Sequence, residues 1–184
     1  MEANERVGQG EQAGRPVELV YPAVFEDVHE AVRIRMRTLL WWRLVRWAAW
    51  GACALALLVC VLALLPPTPE PGTVAKMAGL GLVAVAGAEL TPWLTARAFF
   101  MAVRSQGEAT AVVDEAGGRW SLPDTETTIR WALMPRYVET PRLFVLLTAD
   151  RTGSGFAYLP KRGLAGPGEE ERLRALLDRN IARV

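Results

Sequence analysis

Apolar and polar residues follow three different rhythms along this chain, and each predicts a different kind of structure. Over residues 47–65 the run WAAWGACALALLVCVLALL contains no charged residue and no histidine. As a helix it rises about 1.5 Å per residue and covers roughly 28 Å, close to the roughly 30 Å hydrocarbon core of a bilayer. A buried core helix is the alternative, but a chain of 184 residues has too little other apolar surface to wrap such a helix on every side. The run therefore predicts a first transmembrane helix. A second run, MAGLGLVAVAGAELTPWLTA over 77–96, has Glu89 as its only charge and predicts a second span. Between them PPTPEPG holds four prolines in six residues, which cannot continue a helix and predict a short, stiff loop over 66–76.

Before the first span the rhythm is helical. Residues 1–16 are rich in Gly, Gln and Glu and predict a disordered tail. VELVY at 17–21 alternates apolar and polar and predicts a short strand. Phe25, Val28, Val32, Met36 and Leu39 then recur at three- and four-residue spacing, with Glu30 one turn from Arg33, so the 17–46 segment combines this strand with an amphipathic helix. After a linker at 97–107 the period changes to that of strands. EATAVVD, GRWSL, TTIRW, RYVET, LFVLLTA and GFAYLP are separated by turn chemistry at EAGG, Pro123-Asp124, Thr140-Pro141 and RTGSG, and predict a six-stranded meander. From Pro167 a helix opens on Glu169, Glu170 and Glu171 and closes near Arg179 and Arg183, the charge order a helix dipole favours. Its apolar face, Leu173, Leu176, Leu177, Ile181 and Val184, is suited to capping the sheet of a domain over 108–184. The expected class is an α+β membrane protein: a two-helix transmembrane hairpin and an antiparallel β domain capped by a C-terminal helix.

Charge distribution adds an orientation. The formal net charge is +1, too small to mark a nucleic-acid partner. Arg33, Arg35, Arg37, Arg43 and Arg46 gather before the first span, and Trp41, Trp42, Trp47 and Trp50 place four indoles within ten residues at its entrance. Trp93 and Arg97 stand at the far end of the second run. Arginines flanking a span mark the cytoplasmic side, so both termini are expected in the cytoplasm of a multi-pass inner-membrane protein. The apolar run arrives too late for a cleavable signal peptide and is expected to remain in the mature chain. Cys53 and Cys60 share one helix face about 10 Å apart, beyond disulfide reach, and read as packing residues, with an intermolecular bridge or lipidation as remote alternatives.

Candidate chemistry is sparse. Gly79-Leu80-Gly81-Leu82-Val83-Ala84 matches a dinucleotide fingerprint, but lacks the preceding strand and the later acid that the fingerprint requires. With Gly87, and with Ala48, Ala52, Ala56, Ala84 and Ala88, these glycines read as surfaces for close helix packing. His29 is the only histidine, no cluster has metal-ligand spacing, and Ser105, Ser121 and Ser154 have no nearby base, so neither an enzyme nor a cofactor is expected. Lys161 and Arg162 follow a strand and Pro160, where a loop can offer cations to a phosphate, although an ordinary solvated basic loop is the favoured reading. Glu89 lies about 10 Å from the end of its span and is expected to snorkel toward Arg97 or the headgroups.

The two-span hairpin, the Y-P-x-x-F-E-D segment from Tyr21 to Asp27, VETPRLFVLL from Val138 to Leu147 and YLPKRGL from Tyr158 to Leu164 together resemble the YcxB-like family of small bacterial membrane proteins. The resemblance implies a cytoplasmic domain similar to pleckstrin-homology folds and brings no established activity. Pro135 departs from the family pattern by breaking the strand between Trp131 and Val138, which leaves the pairing there open. The expected function is that of a non-enzymatic, membrane-anchored binding or regulatory module. Membrane lipids are its expected contacts, with a protein partner or anionic lipid on the cytoplasmic domain, and Arg33, Arg37, Arg43, Arg46, Lys161 and Arg162 as contact candidates. The alternative is an oligomer of hairpins forming part of a small transporter or channel, for which Glu89 would supply the polar group.

Overall fold

The computed structural model describes residues 15–64, 71–149, 155–166 and 168–184. The tail at 1–14, the prolines at 66, 67 and 69, most of the RTGSG turn and Pro167 lie outside the described residues. Two compact units divide the chain: one takes in everything up to Arg35 and from Ala96 onward, the other is Met36–Thr95.

The first unit is α+β. Strand β1 (Val17–Pro22) buries Val17, Leu19 and Tyr21 and exposes the residues between them, the period-two pattern of a strand with one wet face. It lies at the edge of an antiparallel sheet with β2 (Glu108–Val113), β3 (Gly117–Leu122) and β4 (Thr125–Arg130), in the order β1-β2-β3-β4. A second sheet has the order β7-β6-β5-β8, from β5 (Arg136–Glu139), β6 (Leu143–Leu147), β7 (Phe156–Pro160) and β8 (Ala182–Arg183). Among the described strands only the β5–β8 pair is parallel.

The single meander expected from the sequence is thus two sheets. The division falls where Trp131–Leu133 forms a turn of 3₁₀ helix and Pro135 follows. The Trp131 indole donates to the Asp114 and Glu115 carbonyls at 3.2 and 3.1 Å, tying this corner to the β2–β3 turn. In that turn the Asp114 carboxylate accepts from the Ala116 and Gly117 amides at 2.8 and 3.0 Å. Gly117 is required there, because a Cβ would run into the Ile129 carbonyl.

All five residues of β6 are buried, since both faces of its sheet are covered. Phe144 and Leu146 face a core shared with Leu19, Val113, Tyr137, Leu159 and the helix α4 (Glu169–Asn180), which inserts Leu173, Leu176 and Leu177. Leu143, Val145 and Leu147 face the opposite way and pack with Ala31 and Ile34 of helix α1 (Phe25–Thr38). Val184 does not share the apolar face of α4. The helix stops at Asn180, the chain turns extended to pair with β5, and Val184 is 59% exposed.

In the second unit, α2 (Leu40–Leu64) and α3 (Pro71–Val103, whose last turns belong to the first unit) are long and apolar enough to cross a membrane. Only 11% of the most apolar window of each is buried, whereas a soluble core helix would be mostly enclosed. Both exceed the apolar runs that predict them. Helix α2 begins at Leu40 rather than at 47, and α3 covers most of the expected 66–76 loop and 97–107 linker. Pro71 opens α3, a position where its missing N–H costs nothing. Pro92 sits inside the helix and cannot donate to the Ala88 carbonyl, while the Thr91 hydroxyl donates to the neighbouring Gly87 carbonyl at 2.6 Å.

The contact between the two helices is narrow. A Cβ on Gly81 would meet Ala56 Cβ at 3.3 Å and Cys53 Cα at 3.4 Å, and Cys60 Sγ lies 3.5 Å from the Val74 carbonyl. Cys53 and Cys60 therefore take part in this helix contact, and Gly81 gives the close approach expected of a small packing residue. Ala56 and Ala88 are buried, but Ala52, Gly79 and Gly87 are exposed, so only part of the expected small-residue surface is used.

The contrasting places of Leu177 and Val184 give a direct check. Leu177→Ala should cost about 3 kcal/mol in denaturant unfolding of the full-length protein, while Val184→Ala should change stability by less than about 0.5 kcal/mol. Equal effects would mean that the C-terminal residue packs with the helix face after all.

Candidate functional site

Two ionic clusters occupy the first unit. At the start of α1 the Asp27 side chain is 1% exposed. It meets Arg142 Nη2 at 3.0 Å and the Arg162 guanidinium, which also donates to the Pro22 carbonyl at 2.9 Å. Arg142 extends the cluster to Glu30 at 3.9 Å. Nearby, the Tyr21 hydroxyl donates to the Tyr158 carbonyl at 3.1 Å, and burial pushes its pKa upward. The segments holding Tyr21 and Asp27, Arg142, and Tyr158 and Arg162 thus converge on one junction.

The second cluster is built on Glu139, whose side chain is 8% exposed and faces three cations: Lys161 at 2.8 Å, Arg174 at 2.7 Å and Arg183 at 2.9 Å. Hydrogen bonds from Arg174, opposed by burial and reinforced by Lys161, hold the Glu139 carboxyl at about 2. Burial pushes the Lys161 ammonium down, but its hydrogen bonds to Glu139 and Glu170 prevail and its pKa is raised. Lys161 also lies 4.9 Å from the Phe144 ring centre. Beside this cluster the Tyr137 hydroxyl, pushed up to about 12 by burial and by its contact with Asp178, donates to that carboxylate.

These contacts change the place of two candidates. Lys161 and Arg162 are not cations held out to solvent on a loop: both are engaged with carboxylates inside the first unit. The residues that sequence reasoning missed are their partners, Asp27 and Glu139. Glu169 and Glu170 are likewise paired, with Arg172 and with Lys161 and Arg174.

The remaining arginine candidates differ. Arg33 is exposed on α1. Arg37, Arg43 and Arg46 join Trp42, Trp47 and Trp50 around a cavity of about 450 Å³ in the second unit. On α2 the positions 43, 46, 47 and 50 follow the three- and four-residue spacing that places side chains on one face. Trp42 is buried and meets Trp41 edge-on at 5.8 Å, while Trp47 and Trp50 are 74% and 51% exposed. Arg37 and Arg43 have no ion pair among the described residues. Arg46 Nε lies 3.8 Å from Glu89 Oε1, with both side chains about half exposed. The charge that Glu89 faces is therefore Arg46, on the other apolar helix.

Three guanidiniums beside indole faces can bind a phosphate by charge-assisted hydrogen bonds while the rings contact apolar chain. His29 stacks on Phe25 with ring centres 5.8 Å apart, and no group of three or more His, Cys, Asp or Glu among the described residues could hold a metal ion.

A family model described as YcxB-like protein matches residues 113–177, from the end of β2 to the last turns of α4. The chain therefore carries a YcxB-like domain, and both ionic clusters draw on it through Glu139, Arg142, Lys161, Arg162 and Arg174. No curated protein and no solved structure matches the chain.

The acid response of Glu139 follows from its sign. Its folded pKa lies below the ordinary 4.5, so the stabilisation is complete above that value and is lost as pH falls toward 2. A depression of this size is worth on the order of 3 kcal/mol. Denaturant unfolding between pH 7 and pH 2.5 should show the native protein losing that increment and Glu139→Gln showing a flatter profile from a lower start. Parallel profiles would remove Glu139 as the acid-sensitive group.

Proposed function

We propose that this protein is a non-enzymatic binding module anchored in the membrane by a two-helix hairpin, and that it engages anionic lipid through Arg37, Arg43 and Arg46. The observation carrying this reading is the cavity in which those arginines stand among Trp42, Trp47 and Trp50 at the start of an apolar helix. Each basic residue near an anionic leaflet contributes on the order of 1 kcal/mol, and indoles favour the headgroup level, so the two residue types act in the same layer. The arginine bias further supports a bacterial inner-membrane topology with both termini cytoplasmic and the 66–76 connection outside. Two four-stranded sheets closed by a C-terminal helix support the likeness of the YcxB-like domain to pleckstrin-homology folds. On this reading the domain's own cations serve its fold, and lipid contact falls to the helix-end arginines.

The pairing of Glu89 with Arg46 weighs against a transporter or channel. A carboxylate facing a guanidinium at 3.8 Å has a local electrostatic role, and no polar path between hairpins is needed to account for it.

Native mass spectrometry of the detergent-solubilised full-length protein tests the lipid reading. Phosphatidylglycerol should be retained over phosphatidylcholine, and the preference should fall several-fold in an Arg37→Gln, Arg43→Gln double variant and as ionic strength rises. Equal retention of both lipids by the native protein would overturn the proposal. Topology is checked separately in a background with Cys53 and Cys60 replaced by alanine. An impermeant thiol reagent on intact cells should label Gly72→Cys and spare Thr125→Cys; the opposite pattern would invert the assignment.

A further inference from the structure

The charges around the arginine–tryptophan cavity do not match those of a single phosphodiester headgroup. Arg37, Arg43 and Arg46 line it, and Glu89, the only acid among the described residues of the second unit, reaches Arg46 at 3.8 Å. Arg46 and Glu89 cancel, which leaves a balance of two positive charges, on Arg37 and Arg43. Phosphatidylglycerol carries one negative charge, so one such lipid leaves a guanidinium unmatched beside it.

The two uncancelled cations also stand as two separate grips. Arg37 belongs to α1 and Arg43 to α2, with Leu39 outside both helices. On a continuous helix the interval between them would make about 1.7 turns and carry the two side chains to different faces. The interruption at Leu39 lets both line one cavity. Both residues are exposed, and neither has an ion pair among the described residues, so a ligand need break no such pair to reach them. Each planar guanidinium can grip one phosphate through paired N–H donors. The cavity, at about 450 Å³, falls within the roughly 300–1,000 Å³ of small-molecule sites and is larger than one phosphate fills. Trp47 and Trp50, both exposed, offer ring faces to the chains that leave a headgroup held there.

Resting on the lipid-binding reading of this cavity, we propose that its preferred ligand is a membrane lipid whose headgroup joins two phosphodiesters, as in cardiolipin. Arg37 holds one phosphate and Arg43 the other, while Arg46 balances Glu89 and keeps that acid from offsetting them. Charge selects against a lone phosphodiester. The separate helices of Arg37 and Arg43 select against a phosphomonoester, whose two charges are gathered on a single phosphate.

The test is native mass spectrometry of the detergent-solubilised full-length protein with cardiolipin, phosphatidylglycerol, phosphatidic acid and phosphatidylcholine, retention being compared at equal phosphate. A second phosphate–guanidinium contact is worth about fivefold, so the native protein should retain cardiolipin about fivefold over phosphatidylglycerol and over phosphatidic acid. Arg46→Gln leaves Glu89 unopposed and lowers the balance to a single positive charge. The cardiolipin advantage should then fall below about twofold, and Arg46→Gln, Glu89→Gln, which returns the balance to two, should restore it. Equal retention of cardiolipin and phosphatidylglycerol by the native protein, phosphatidic acid retained as well as cardiolipin, or a double variant no better than Arg46→Gln would overturn the assignment. The first of these outcomes, with phosphatidylglycerol still preferred to phosphatidylcholine, would sink this inference alone; loss of that preference as well would sink the reading on which it rests.

Discussion

The buried carboxylate of Asp27 is the constraint on which the arrangement of the first unit depends. Removing a charge from water costs several kcal/mol, and the cost is met only if partners with good geometry are fixed around it. Arg142, from the turn before β6, and Arg162, from the turn after β7, supply them, and the amino end of α1 adds a favourable dipole. Stranding this carboxylate by deleting a partner should cost about 3–5 kcal/mol, whereas an exposed pair such as Arg119–Glu126 contributes about 1 kcal/mol or less. The junction also fixes a position. With Asp27 held, the buried side of α1 lies on Leu143, Val145 and Leu147, and β6 is covered on both faces.

Glu139 applies the same rule at the same end of the second sheet as Arg142 and Arg162, collecting Lys161, Arg174 and Arg183 and so joining β7, α4 and β8 to β5. Together the two carboxylates divide the protein's cations by task. Those of the YcxB-like domain that meet Asp27 or Glu139 hold elements in register, and substituting them would act first on folding. Arg37 and Arg43 carry no such duty, and Arg46 is shared with a half-exposed acid. A ligand competing for the former must break buried pairs, while one approaching the latter meets cations already among indoles.

Much of this was legible in the sequence because it depends on local periodicity. Six segments of alternating, β-branched residues mark β2 through β7, and VELVY marks the edge strand β1. What periodicity cannot report is which strands share a sheet. Pro135 signals a break, but only the packing of Trp131 against the β2–β3 turn turns it into a change of sheet. Pro71 shows a related limit, since a proline that ends one helix also suits the first turn of the next.

The helix-end arginines were legible because they cluster in sequence, and their meeting in one cavity follows from helical spacing. Asp27 was missed although a signal existed. It stands four residues from Ala31 on the buried side of α1, a place where a charge needs a partner from another element. Nothing local identifies that partner, because Arg142 and Arg162 lie more than a hundred residues away. The basic loop at 161–162 accordingly read as solvated, with a phosphate site as the weaker alternative, when its charges were already matched. Val184 looked like core for a similar reason: a helical period does not reveal where the helix stops.

The account stands most directly on separating these two sets of arginines. The measurement is to determine unfolding stability and phosphatidylglycerol preference side by side for full-length Arg162→Gln and Arg43→Gln, reading lipid retention on the folded fraction. The account predicts that Arg162→Gln loses about 3 kcal/mol and keeps its lipid preference, while Arg43→Gln keeps its stability and loses much of the preference. The reverse pattern, a stable Arg162→Gln protein that no longer distinguishes anionic lipid, would contradict it.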